Sequence, residues 1–182
     1  MQVLNFLLLA LLLLPASVWA QARKPSTIAE LAIYRGADRE QLLYAGAKSE
    51  ARIVWYTSLA GDSYKEIVKA FETKYAGVKV DSYRAQGADL VVRLEEEGKA
   101  RRNIADAIET TEGSLIFLRD GKLLRPYDSP QLDRYPEDGK ERADKNLVYW
   151  ALARESYIGF AYNKTLLTKD AVPRNFDGLF HP

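Results

Sequence analysis

Along residues 27–121, short apolar runs alternate with stretches whose apolar positions recur every three or four residues. Arg52 to Thr57 is β-branched and aromatic, so it predicts a buried strand. Ile67, Val68, Ala70, Phe71 and Tyr75 then recur at helical spacing, with Asp62 as the expected cap and Gly77 as the stop. Val78 to Tyr83 predicts a second strand, and Gln86-Gly87-Ala88-Asp89 leads into a helix with Leu90, Val91 and Leu94 on one face. That helix runs out near Gly98. Ile104 to Ile108 predicts a third strand, which gives way to Glu109, Thr110, Thr111 and Glu112 and then to a short helix from Ser114 to Arg119.

The flanks are less regular. Thr27-Ile28-Ala29-Glu30 has the capping-box pattern for a short helix through about Tyr34, and Asp38-Arg39-Glu40-Gln41 repeats it for a second helix. Residues 123–140 read as a Pro-rich surface segment. Leu147 to Ala153 and Tyr157 to Tyr162 predict two further strands, and Asn163-Lys164-Thr165 a cap for a final short helix.

Strands and helices alternating with short connections predict an α/β fold, doubly wound around a mainly parallel sheet with right-handed crossovers. In such sheets ligands bind beyond the carboxyl ends of the strands. Three segments share that edge: Thr57-Ser58, Gln86-Gly87-Ala88 and Thr110-Thr111-Glu112. Each precedes a helix, whose first N–H groups can receive an anion. Ser, Thr, Asp and Gly are also ordinary helix starts, so both readings stand at this level.

Composition removes several chemistries. Lys and Arg total 26 against 25 Asp and Glu, so no bulk charge draws the chain to nucleic acid or a membrane surface. The absence of Cys excludes disulfides, thiolate metal sites and a Cys nucleophile. The only His is His181, which removes His-based catalysis and leaves Ser58 without a base. Glu95-Glu96-Glu97 point to different faces of one helix and read as solvated surface. No catalytic constellation and no cofactor motif is present, so the chain reads as a non-enzyme. Tyr34, Trp55, Tyr56, Tyr127, Trp150 and Tyr157 are candidates for a cleft wall or for core packing. Arg154, between two expected strands, must face water, a carboxylate or a ligand.

The N-terminus adds a compartment. Phe6 to Leu14 is too short to span a bilayer and suits the apolar core of a secretory signal over residues 1–20, with cleavage after Ala20 or Ala22. Against that reading, residues 1–6 carry no Lys or Arg, so a retained anchor or a misassigned start is the alternative. The expectation is export to the periplasm.

The ordered motifs "YRGADREQLLYAGAKSEARIVWYTSL", "AFETKYAGVKVDSYRAQGADLVVRLEEEGKARRNIADAIETTEG", "GKLLRPYDSP" and "YIGFAYNKTLL" resemble the extracellular solute-binding proteins of ABC importers. The subgroup is the iron(III)-type with the type 2 periplasmic-binding fold, and the resemblance covers residues 27–182. It implies two lobes around a ligand cleft, with closure read by an inner-membrane permease. Residues 27–49 would be N-terminal helices, 50–153 the first lobe, and 154–182 the hinge crossing and the start of the second. Such proteins are longer than this chain, so a truncated reading frame lacking most of lobe two is expected.

The resemblance places the Thr57-Ser58 loop on a wall of that cleft, and with the other strand ends and Arg154 the expected ligand-binding residues are Thr57, Ser58, Gly87, Ala88, Thr110, Thr111 and Arg154. Iron binders of the subgroup place a His after the first strand and a Glu after the third. Ala60 stands at the first position, and Glu112 is the candidate at the second only if the register allows. Ferric iron wants several anionic oxygen donors. A monomeric receptor for a small polar or anionic solute is therefore the leading expectation, with ferric iron as a lesser one. The alternatives are an exported enzyme on the same scaffold, or a fragment without function.

Overall fold

The computed structural model describes residues 24–157, 159 and 161–180. The expected signal segment and His181 lie outside the described residues. The chain divides after Ala151 into two compact units.

The first unit begins with α1 (Ile28–Ala32) and α2 (Arg39–Glu50). Half of the expected capping box forms at α1: Thr27 Oγ1 accepts the Glu30 N–H at 3.1 Å. The Glu30 carboxylate turns instead to Ser26, accepting its N–H and its hydroxyl at 2.6 and 2.7 Å. Asp38 does not cap α2, because its carboxylate accepts the Tyr34 hydroxyl at 2.7 Å.

The sheet is built around β1 (Arg52–Thr57). β2 (Lys79–Arg84) and β3 (Ala107–Glu109) pair with it in parallel on either side, giving the order β2-β1-β3. Crossovers run through α3 (Ser63–Lys74) and α4 (Gly87–Lys99), and α5 (Glu112–Asp120) follows β3. This is the α/β fold with a parallel sheet that the alternating pattern predicts. Val54 and Tyr56 face one side of β1 and pack with Leu90 of α4, while Ile53 and Trp55 on the other face are half-buried. Asp62 does not cap α3 with its side chain; it pairs with Lys65 at 2.6 Å.

The third strand starts later than the pattern predicts, at Ala107 rather than Ile104. Asp106 explains the shift. Its N–H donates to the Val54 carbonyl at 2.9 Å, while its carboxylate accepts the Val54 N–H at 2.7 Å. A side chain thus takes the place of a backbone carbonyl in the ladder.

The Pro-rich segment is structured rather than merely surface. Tyr127 and Val148 exchange two backbone hydrogen bonds of 2.9 Å, a 3-10 turn covers Pro130–Arg134, and Leu132 is buried. A strand absent from the expectation, β4 (Lys140–Arg142), pairs antiparallel with β5 (Val148–Ala151). Arg35 staples the N-terminal segment to this region, donating to Asp128 at 2.6 and 2.7 Å and to Asp133 at 2.9 Å. The Arg35 guanidinium holds the Asp128 carboxyl below its ordinary value of 3.8, against the opposing effect of burial. A depressed folded value means that the contribution is present above about pH 4 and lost as pH falls through the lower folded value. Asp128→Asn should therefore cost on the order of 1 kcal/mol at neutral pH, given that Arg35 is half-exposed. It should also flatten the loss of stability between about pH 4 and 2, as read by denaturant melts at each pH.

In the second unit, the described residues from Leu152 onward contain 3-10 turns at Lys169–Ala171 and Asp177–Leu179 and no strand. The strand expected at Tyr157 to Tyr162 is not among them, although residues 158 and 160 lie outside the description. An apolar run without a neighbouring strand has no partner for its backbone N–H and C=O groups. Asn163 makes a turn rather than a helix start, its side chain accepting the Thr165 N–H and hydroxyl at 2.9 and 2.7 Å. Among the described residues no helix is long and apolar enough to cross a membrane.

Candidate functional site

Register places Thr57, Arg84 and Glu109 side by side at the carboxyl ends of the three parallel strands. Thr57 is fully buried and its hydroxyl is used twice. It donates to the Glu109 carboxylate at 2.7 Å and accepts the Leu59 N–H at 3.1 Å. The Ser58 N–H donates to the Glu109 backbone carbonyl at 2.9 Å and approaches its carboxylate at 3.2 Å. Arg84 donates from Nε to the Leu59 carbonyl at 3.1 Å, closing the loop after β1. Thr57 therefore shapes the edge, whereas the neighbouring Ser58 hydroxyl is buried without a partner.

A second group of hydroxyls converges on Gly87, the first residue of α4. A Cβ there would lie 2.7 Å from Ser114 Oγ, 3.0 Å from Thr110 Oγ1 and 3.5 Å from Thr111 Oγ1. Gly87 is thus packed against three hydroxyls, with room for a Cβ only if Ser114 shifts. Thr111 and Ser114 hydrogen-bond each other at 3.2 Å, whereas Thr110 Oγ1 is buried with no partner. An orphaned buried hydroxyl costs about 1–3 kcal/mol. Two of them lie at this one sheet edge, and an ordered water or a ligand would supply the missing partner.

Helices α4 and α5 begin beside these hydroxyls. Neither Gln86 nor Thr111 caps its helix with a side-chain hydrogen bond, which leaves first-turn N–H groups for another acceptor. The expected residues are thus distributed unevenly. Thr57 and Ser58 meet Glu109, while Gly87, Thr110 and Thr111 meet Ser114. Ala88 and Glu112 are exposed in the first turns of α4 and α5. Arg154 belongs to the second unit, where its guanidinium donates to Ser156 Oγ at 2.7 Å.

Arg84, Glu109 and Ser114 are residues at this edge that sequence reasoning did not single out, and two of them carried a signal. A carboxylate ending a short apolar strand was the available signal for Glu109. The spacing Thr111-x-x-Ser114, one helical turn, was the signal for Ser114. Of the aromatic candidates, Tyr56 is buried in the core, and Trp150 lies beside Arg119 with 5.7 Å between guanidinium and ring.

Below the edge, Glu97 corrects the reading of residues 95–97 as solvated surface. It is buried, accepting the Tyr56 hydroxyl at 2.6 Å, Arg93 Nε at 3.0 Å and the Ile104 N–H at 3.3 Å. Burial, and then the Glu97 carboxylate, push the Tyr56 phenol above its ordinary value. Arg93 stacks over Tyr83 at 4.1 Å and covers the network from outside.

No family model matches the chain, and no curated protein matches it. Solved structures do. Iron-bound HitA from Pseudomonas aeruginosa aligns at 22% identity over 67% of this chain and 38% of its own, with a TM-score of 0.51. The ferric binding protein from Campylobacter jejuni aligns at 30% identity over 52% of this chain and 28% of its own, with a TM-score of 0.44. IdiA (FutA) from Trichodesmium, in complex with iron and citrate ligands, aligns at 26% identity over 52% and 29%, with a TM-score of 0.44. The alignment with HitA identifies the fold as that of the periplasmic binding proteins. The matched part of this chain spans under two fifths of the length of each of these structures.

Proposed function

We propose that the chain carries the first lobe, and the start of the second, of the substrate-binding component of an ABC importer. It would capture a small polar or anionic solute in an interlobe cleft and hand it to an inner-membrane permease. In this reading it is exported to the periplasm, acts as a monomer, and catalyses nothing. The observation that carries the reading is the pair of buried, unpartnered hydroxyls, Ser58 Oγ and Thr110 Oγ1, at the carboxyl edge of the parallel sheet. Thr57, Gly87, Ala88 and Thr111 complete the ligand set proposed for the first unit.

Iron is the lesser candidate. Among the described residues no three His, Cys, Asp or Glu side chains gather to hold a metal ion. The nearest carboxylate, Glu109, already accepts bonds from Thr57 and Ser58. Ferric iron bound here would need anionic oxygens from elsewhere.

Thermal melts of the full chain against carboxylates, phosphonates, polyols, ferric iron and ferric citrate test the proposal. A ligand at a hundredfold excess over its Kd adds about 2.7 kcal/mol, a shift of several degrees. Ser58→Ala and Thr110→Ala should leave stability unchanged or raise it by about 1 kcal/mol, because each removes an orphaned hydroxyl. Both should diminish the solute-induced shift. A panel without any shift overturns the reading, and a shift with ferric iron alone reverses the order of the two ligands.

A further inference from the structure

We infer that the first unit carries a second ligand site, remote in composition from the sheet edge, for a small carboxylate with an apolar body. A cavity of about 540 Å³ opens where the segment after α1 meets the Pro-rich segment and the β4–β5 hairpin. That volume lies within the range of about 300–1,000 Å³ typical of small-molecule sites. Ile33, Leu132 and Leu147 supply apolar wall, and Arg35, Lys140 and Arg142 line it with charge.

Lys140 is the unusual member, because its side chain is only 5% exposed. A buried ammonium has to be compensated. Lys140 Nζ donates to Glu137 Oε1 at 2.8 Å and to the Leu132 carbonyl at 3.3 Å, which uses two of its three N–H groups. Arg142 draws on the same Glu137 carboxylate through Nε and Nη2, at 3.0 and 2.6 Å, and leaves Nη1 over. One carboxylate thus serves two cations.

The opposite wall does not repay this excess. Asp128 and Asp133 are engaged by all three nitrogens of Arg35. Arg39, outside the cavity lining, donates to the Asp128 backbone carbonyl at 3.1 Å. Among the residues that line the cavity three cations meet two carboxylates, and the donors left over belong to Lys140 and Arg142. An acceptor-rich monoanion completes the set, with its apolar body against Ile33, Leu132 and Leu147. A carboxylate satisfies both demands, since it accepts forked hydrogen bonds from a guanidinium and from an ammonium.

Benzoate and its uncharged analogue benzamide are suitable probes on the full chain, with binding read by calorimetry and thermal shift. Benzoate should bind and benzamide should not. Arg142→Gln should weaken benzoate about tenfold or more. Ile33→Trp, which fills the cavity from its exposed rim, should abolish binding even if Arg142→Gln disturbs the hairpin. Gly87→Val at the sheet edge should leave benzoate binding intact, so failure at one site does not decide the other. Equal binding of benzamide, no binding of benzoate, or a benzoate affinity indifferent to Ile33→Trp would each overturn the inference.

Discussion

Replacing Glu97 by Ala should destabilise the first unit by about 2–4 kcal/mol, read from denaturant melts of the full chain. The estimate follows from what is left behind. The carboxylate accepts from the Tyr56 hydroxyl, Arg93 Nε and the Ile104 N–H, and the first of these donors belongs to a residue that is 1% exposed. Orphaning the buried Tyr56 donor costs about 1–3 kcal/mol, and the Ile104 N–H, on a residue that is 43% exposed, adds at most about 1 kcal/mol. Arg93 adds little, because it is partly exposed and keeps a 2.9 Å contact with the Tyr56 oxygen. Glu97→Gln retains an acceptor and should cost only about 1 kcal/mol. Tyr56→Phe alone should also be mild, and combined with Glu97→Ala it should recover part of the loss. A Glu97→Ala variant within about 0.5 kcal/mol of the parent would show that the network is not structural.

The same residue shows where pattern reading stops. Three consecutive Glu on a helix cannot all face one way, and periodicity alone does not say which of them turns inward. The answer lies in Tyr56, 41 positions earlier, whose hydroxyl needs a buried acceptor. Asp106 repeats the lesson, since its carboxylate acts as a ladder carbonyl for Val54, 52 positions away. The β4 strand was illegible for a different reason. Its residues are Lys, Glu and Arg, and their pairing with β5 uses backbone groups that every sequence possesses. By contrast, β1 was readable because burial and β-branching coincide in it, and its two parallel neighbours because short crossovers through helices favour one arrangement.

The edge was half legible. Polar residues after each strand marked where a ligand can sit, but not which hydroxyls already have partners. Thr57 and Ser58 look equivalent as neighbours. In the structure one is spent on Glu109 and Leu59, while the other is unpartnered. That division turns two similar side chains into a framework residue and a candidate contact. It also makes Glu109 a positioning group, because it holds both the Thr57 hydroxyl and the Ser58 N–H.

Gly87→Val should weaken the solute response by roughly 10- to 200-fold in affinity, the range set by extra carbon in a fitted pocket. Overpacking should also cost about 1–3 kcal/mol of global stability, so affinity is compared at a temperature where both variants are folded. Gly87 has no left-handed backbone requirement, so the cost is steric. A Cβ would lie 2.7 Å from Ser114 Oγ and 3.0 Å from Thr110 Oγ1. Rotation of the Ser114 hydroxyl relieves a single methyl, and for that reason Gly87→Ala should be mild. The two further methyls of Val press on Thr110, Thr111 and Ser114 together, and rotation of one hydroxyl does not relieve them. Combining Gly87→Ala with Ser114→Ala should recover any deficit of the Ala variant if crowding is its cause. Titrations by thermal shift decide the matter with whichever panel solute responds. A Gly87→Val variant that binds as tightly as the parent would move the ligand away from α4 and leave the hydroxyls around Gly87 as packing alone.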